Sequence, residues 1–249
     1  MTARTQVPLS VTIAPLGLPS EAMSWASASG FRGVQFSVTG GGLRPRELGP
    51  SARRDLRATL SRLELAVSGI DAIVPVAHFL DPAMSERAID AIDGACGLAA
   101  ELGRVPVTLQ LPPAGDESQQ DRRREVVAAL AAAADRAGVT LADLGGAVEA
   151  PWPPVGVCVD PAAVLADGGD PSAVVARTGP KLAAVRVADL LRSGLRGPIG
   201  VRGESRLDVL AFRVAMDVSG FRGLPVLDCR QWSDPRTGAL QSAEAWQAP

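Results

Sequence analysis

The sequence predicts an α/β chain closed into an eight-stranded parallel (β/α)8 TIM barrel, one domain spanning 1–249. Three observations predict it. Eight short apolar, β-branched runs alternate with longer Ala-, Leu- and Arg-rich stretches of helical period from end to end. The length of 249 residues suits one barrel, which typically takes about 250. Thr39-Gly40-Gly41-Gly42 lacks the spacing of a dinucleotide fingerprint, and no acidic residue closes the second strand, which disfavours an open doubly wound sheet.

The elements follow in order. Residues 9–13 read as strand one and 20–29 as the first helix; 33–38 form strand two, ended by the glycine run. A helix over 50–62 carries Leu56, Leu60 and Leu63 on one stripe, and 65–70 give strand three. The next helix starts at Ser85, read as its N-cap, and stops at Gly103. Strand four covers 105–111 and is ended by Pro112-Pro113; a polar loop then leads to a helix over 121–137, closed by Gly138. Residues 139–144, 155–159 and 182–187 are strands five, six and seven, with helices over 161–166 and 171–178 between the last two. A glycine-rich loop, 194–203, precedes a helix over 205–219; strand eight is 224–227, and the tail after Gln231 reads as loop.

Hydrophobic residues make up 47% and charged residues 21%, a globular balance. The formal net charge is -2, with no dense basic stretch, which disfavours a nucleic-acid or membrane-surface partner. Lys181 is the sole lysine, so arginine supplies nearly all the positive charge. No leader-like segment opens the chain and no apolar run reaches the roughly 18 residues of a spanning helix, so a cytoplasmic location is expected. Cys96, Cys158 and Cys229 are far apart and odd in number, which suggests buried reduced thiols. His78 is the only histidine, so any metal site must rest mainly on carboxylates.

In a barrel the working face is the C-terminal rim of the strands. The rim candidates are Asp71, Gln110, Asp143, Asp160, Arg186, Asp189 and Asp228. Carboxylates converging from several strands suit a hard divalent cation such as Mg2+ or Mn2+. His78, after strand three, is a candidate ligand contact. Arg196 and Arg202 flank a glycine loop that could cradle an anion ahead of a helix. Trp152 and Trp232 follow strands five and eight and could floor a sugar.

Several segments together resemble the sugar phosphate isomerase/epimerase family, which shares the xylose isomerase-like barrel. They are Gly30-Phe31-Arg32-Gly33-Val34-Gln35, Val155-Gly156-Val157-Cys158-Val159-Asp160-Pro161, Val185-Arg186-Val187-Ala188-Asp189, Pro198-Ile199-Gly200-Val201-Arg202-Gly203, and Gly220-Phe221-Arg222-Gly223-Leu224-Pro225-Val226-Leu227-Asp228. The resemblance implies a divalent metal held by Glu at strand five, Asp at strand six, His on strand seven and Glu at strand eight. The two glutamates would shift a proton beside a sugar carbonyl. Carried onto this chain, the strand-six Asp is Asp160 and the strand-eight Glu is Asp228. The strand-five Glu falls on Leu144, beside Asp143; the strand-seven His is Arg186; a further His three residues after Asp160 is Ala163.

Two readings therefore stay open. In one, Asp143, Asp160, Asp189 and Asp228 form a rearranged oxygen-only metal site, Asp160 and Asp228 holding the cation and Asp143 and Asp228 acting as acid and base on a sugar or sugar phosphate. In the other, Arg186 takes the metal's place, pairs with Asp160 and Asp228, and leaves a metal-free, catalytically retired binding or regulatory barrel. Arg186, Asp189, Arg202, His78 and Gln110 are the expected ligand contacts in either case. Plainer roles compete: Asp160 and Asp189 as helix caps, Asp143 as turn chemistry, His78 as a half-buried structural side chain.

Overall fold

The computed structural model of the chain describes residues 7–40, 42–113, 117–145 and 154–248. Eight strands close into a parallel barrel in the order β1-β10-β7-β6-β5-β4-β3-β2. They are β1 (Val7–Thr12), β2 (Phe31–Ser37), β3 (Ala66–Asp71), β4 (Val107–Leu109), β5 (Leu141–Asp143), β6 (Val155–Val159), β7 (Leu182–Val187) and β10 (Val226–Leu227). Between β7 and β10 a short antiparallel hairpin, β8 (Asp189–Leu190) with β9 (Arg196–Gly197), stands outside the barrel. The eight barrel strands fall on the eight expected runs, and the predicted fold class holds.

Alternation along the strands sorts the side chains. Cys158 lies beside Ala184 in register, and with Ala142 these small residues pack together. The intervening positions, Val157, Val159, Val185 and Val187, join the large apolar layer under the helices. A second apolar layer joins Ile70, Val107, Leu109 and Leu141 to the helices that follow β3 and β4. Small side chains inside leave room for long polar ones at the rim. Gly156 belongs to the same economy of space, because a Cβ there would stand 2.8 Å from the Lys181 carbonyl oxygen.

The helices are α1 (Pro19–Ala28), α2 (Pro50–Arg62), α3 (Val76–Leu80), α4 (Ser85–Glu101), α5 (Glu117–Ala137), α6 (Pro161–Ala166), α7 (Pro171–Thr178), α8 (Val209–Ser219) and α9 (Pro235–Gln247). Proline at the first turn of α1, α2, α6, α7 and α9 presets the backbone where no amide partner is needed. Leu56 and Leu60 of α2, and Ala88, Ile92, Ala95 and Ala99 of α4, form the spaced stripes that dock on the barrel.

Four expectations are corrected. The tail after Gln231 is not loop: α9 occupies it, capped by Asp234 and buried through Ala239, Ala243 and Trp246. Ser85 does not cap α4; Met84 holds that position, and the Ser85 hydroxyl instead accepts a hydrogen bond from Arg122. The helix expected over 205–219 begins at Val209, where the Asp208 side chain accepts the Ala211 amide at 2.9 Å. The amides of Arg206 and Leu207, ahead of the helix, are bonded to Asp189 instead. Finally, α5 starts upstream of Asp121, at Glu117.

Candidate functional site: an arginine–aspartate lattice in the barrel mouth

Asp71 ends β3, Asp160 follows β6 and Asp228 follows β10, so strand closure alone brings three carboxylates to one rim. All three are buried, at 0%, 8% and 3% exposure. Three buried anions need partners. Arg186, on β7 between β6 and β10, supplies the first. Its Nη2 donates to Asp71 Oδ1 at 2.6 Å, while its Nη1 stands 3.6 Å from Asp228 Oδ2 and 3.8 Å from Asp160 Oδ2. Arg196, on β9, donates through Nη1 to both Asp160 oxygens at 3.0 Å and through Nη2 to Asp228 Oδ2 at 3.4 Å. Arg230 grips Asp228 through Nε at 2.7 Å and Nη2 at 2.8 Å, and its Nη1 donates to Asp71 Oδ2. Three guanidiniums thus interlock with three carboxylates in a charge-balanced lattice.

The lattice has depth. The Arg186 side chain is 8% exposed, against 22% for Arg196 and 25% for Arg230. A molecule entering the mouth therefore meets Arg196 and Arg230 first. Burial alone would raise the Asp228 carboxyl. The Arg230 hydrogen bonds and the charges of Arg186, Arg230 and Arg196 outweigh it and hold the carboxyl below its ordinary range. Burial likewise works against the charge of Arg186, but Asp71 and Asp228 keep it firmly protonated. Cys158, behind this lattice, has its thiol pushed up to about 12 by burial, which outweighs the opposing pull of Arg186. It is no thiolate nucleophile at neutral pH.

The other expected residues lie elsewhere. Asp143 is buried at the end of β5, where its Oδ1 accepts the amides of Leu111 and Gly145, each at 2.9 Å. Asp189 is fully buried and accepts the Ser205 hydroxyl and the amides of Arg206 and Leu207, fastening the approach to α8. Asp160 also caps α6 through the amides of Ala162 and Ala163, so its plainer role and its place in the mouth coexist. Arg202 is exposed, whereas Arg196 turns into the mouth, so the two do not converge on an anion. Gln110 is exposed just past β4. His78 sits half-buried on α3 and lines a cavity beside the barrel. Trp232 is buried, and Trp152 lies outside the described residues.

Asp71, Asp160, Arg186 and Asp228 were singled out from the sequence as rim residues, and Arg196 as an anion contact; Arg230 was not. Its signal is faint, an arginine two residues past a strand-end aspartate, recognisable only once Asp71 is known to face it across the barrel.

The donor set does not fit the divalent metal that the resemblance implies. Among the described residues no three His, Cys, Asp or Glu side chains gather to hold an ion, so the oxygen-only set of Asp143, Asp160, Asp189 and Asp228 does not assemble. Arg186 also occupies the ground between Asp160 and Asp228. A cation about 4 Å from a guanidinium meets a repulsion of about 4 kcal/mol per unit charge at an effective dielectric near 20, and a divalent ion doubles it.

Comparison with known proteins agrees with the barrel fold. The model of the xylose isomerase-like TIM barrel family matches residues 23–143. That match covers just under half of the chain, and the closed eight-stranded barrel is the fold that the sequence resemblance implied. Several solved structures share the fold over nearly its whole length. A D-psicose 3-epimerase with D-tagatose from Clostridium cellulolyticum H10 superposes with a TM-score of 0.76 at 12% identity, covering 95% of this chain and 97% of that one. A xylose isomerase domain protein from Planctomyces limnophilus gives 0.73 at 16% identity, over 96% of both chains. The 3-keto-D-glucoside 4-epimerase of E. coli gives 0.74 at 16% identity, over 97% and 98%. At these identities the likeness shows the fold. No curated protein sequence matches the chain. Among the described residues no helix is long and apolar enough to cross a membrane.

Proposed function

We propose that this protein is a metal-independent binding barrel that takes a small polyhydroxylated ligand, a sugar or sugar phosphate, at its C-terminal rim, and that it has lost the turnover of its epimerase-like relatives. One observation carries the reading: Arg186 reaches Asp71, Asp160 and Asp228 at once, at 2.6, 3.8 and 3.6 Å, so a positive side chain already stands among the carboxylates that a metal would need. The same lattice weakens Asp228 as a base. General-base work favours a carboxyl tuned toward the working pH, and Asp228 is shifted the opposite way. What remains suits recognition. The partly exposed donors of Arg196 and Arg230, held by buried carboxylates, present rigid charge-assisted hydrogen bonds to hydroxyl or phosphoryl oxygens.

The test is thermal melting and calorimetry of the wild-type protein. Mn2+, Mg2+ and Co2+ are expected to leave the melting temperature unchanged, and sugar or sugar phosphate binding is expected to persist in EDTA. Saturable metal binding at micromolar concentration would overturn the proposal. The double variant Arg186→His, Ala163→His restores two imidazoles to the rim and is expected to create metal affinity that the parent lacks. Ala163 is exposed and can accept the larger side chain.

A further inference from the structure

We infer a second binding site, on the flank of the barrel, that takes a small organic anion with an apolar body. Between the segment after β2, the turn at 45–47, the segment after β3 and the outer face of α4 lies a cavity of about 620 Å3. That volume suits a ligand of metabolite size. Its wall is apolar where Val38, Ala72, Val74 and Ala91 line it. Its edges carry Arg44, Arg46 and Arg87 together with His78, the only histidine of the chain, against one lining carboxylate, Asp90.

The contrast with the mouth points to an anion. There, three arginines meet three aspartates and the charge is spent internally. Here, Arg44 is engaged by Glu47 and the Thr39 carbonyl, but Arg46 and Arg87 have no side-chain partner among the described residues. Two solvated guanidiniums facing a shared apolar wall can take a phosphoryl or carboxylate group by charge-assisted hydrogen bonds while the wall takes the rest. The wall is also built in advance. Arg53 fastens the turn by donating to the Leu48 carbonyl at 2.8 Å and the Pro45 carbonyl at 3.0 Å. Pro45 in turn rests on α4 at Gly94, where a Cβ would come within 3.4 Å of it. A preformed pocket loses less ordering entropy on binding.

Phenyl phosphate is the probe, with inorganic phosphate and phenol as its two halves, and the readout is proton NMR of the His78 ring, whose signal is unambiguous in a one-histidine protein. Phenyl phosphate is expected to move that signal saturably, and each half to bind at least about tenfold more weakly. Arg46→Ala with Arg87→Ala is expected to weaken binding by at least about tenfold. Ala91→Trp, at an exposed position of α4, is expected to block the cavity without disturbing the core. Arg222→Ala, an exposed arginine remote from the cavity in the α8–β10 connection, is expected to change nothing. The inference is overturned by any of three results: no saturation up to about 10 mM, binding that leaves the His78 signal unmoved, or an equal loss in Arg222→Ala. The second result would place the anion at the mouth, which separates failure here from failure of the rim proposal.

Discussion

Asp71 shows how much one side chain can bear when burial removes water as an alternative partner. It is 0% exposed, and its two oxygens are divided between Arg186 and Arg230. Asp71→Asn leaves two guanidiniums facing a neutral amide, and removing one partner of a buried pair typically costs about 3–5 kcal/mol. The expected outcome is a loss of that order in urea unfolding. The exposed pair of Arg136 with Asp93, at 67% and 53% side-chain exposure, should behave differently, and Asp93→Asn should stay within about 0.5 kcal/mol of wild type. Equal effects of the two substitutions would mean that the mouth lattice is as solvated as the surface. At this scale the sequence was only half legible. The aspartates at strand ends could be read off because strand ends are predictable. Their pairing with Arg196 and Arg230 depends on how a hairpin and a post-strand turn fold back over the mouth, and those turns carry no periodic signal.

Elements were legible in proportion to their periodicity and length. The eight barrel strands and α2, α4 and α7 follow from apolar spacing, proline at the first turn and glycine stops. The α9 helix escaped because its buried face is built mostly from small residues, Gly238, Ala239, Ser242 and Ala243, with Trp246 the one large side chain, and these barely register as an apolar stripe. The start of α8 escaped for another reason. Asp189, sixteen to eighteen residues upstream, holds Ser205, Arg206 and Leu207 in a long-range contact that no local pattern announces, and the helix follows from its own cap at Asp208. That division of labour predicts that Asp208→Ala costs about 1 kcal/mol, the usual worth of an N-cap. Amide exchange should speed up at Ala211, which donates to the cap, while the amide of Leu207, held by Asp189, keeps its protection. Equal loosening at both amides would show that the two aspartates act as one cap.

At the scale of the whole molecule, the mouth is expected to confer acid sensitivity through Asp228. Folding places three carboxylates where water cannot reach them freely and pairs them with three arginines. Burial alone would raise the Asp228 carboxyl, but Arg230, Arg186 and Arg196 hold it below the ordinary 3.8. The unfolded chain, without those partners, binds its proton at the higher pH. Between the two values the unfolded state therefore carries more protons, and stability declines as pH falls. Above the unfolded value the contribution is fully present, and it is lost as pH drops through the depressed folded value. The urea midpoint should therefore hold steady from neutrality to about pH 5 and fall below about pH 4. Asp228→Asn removes the titrating group, so it should start from a lower midpoint at neutral pH and fall less steeply in acid. Added salt should change the wild-type profile little, because a buried lattice is weakly screened. Parallel acid limbs in the two proteins would assign the acid loss to carboxylates outside the mouth.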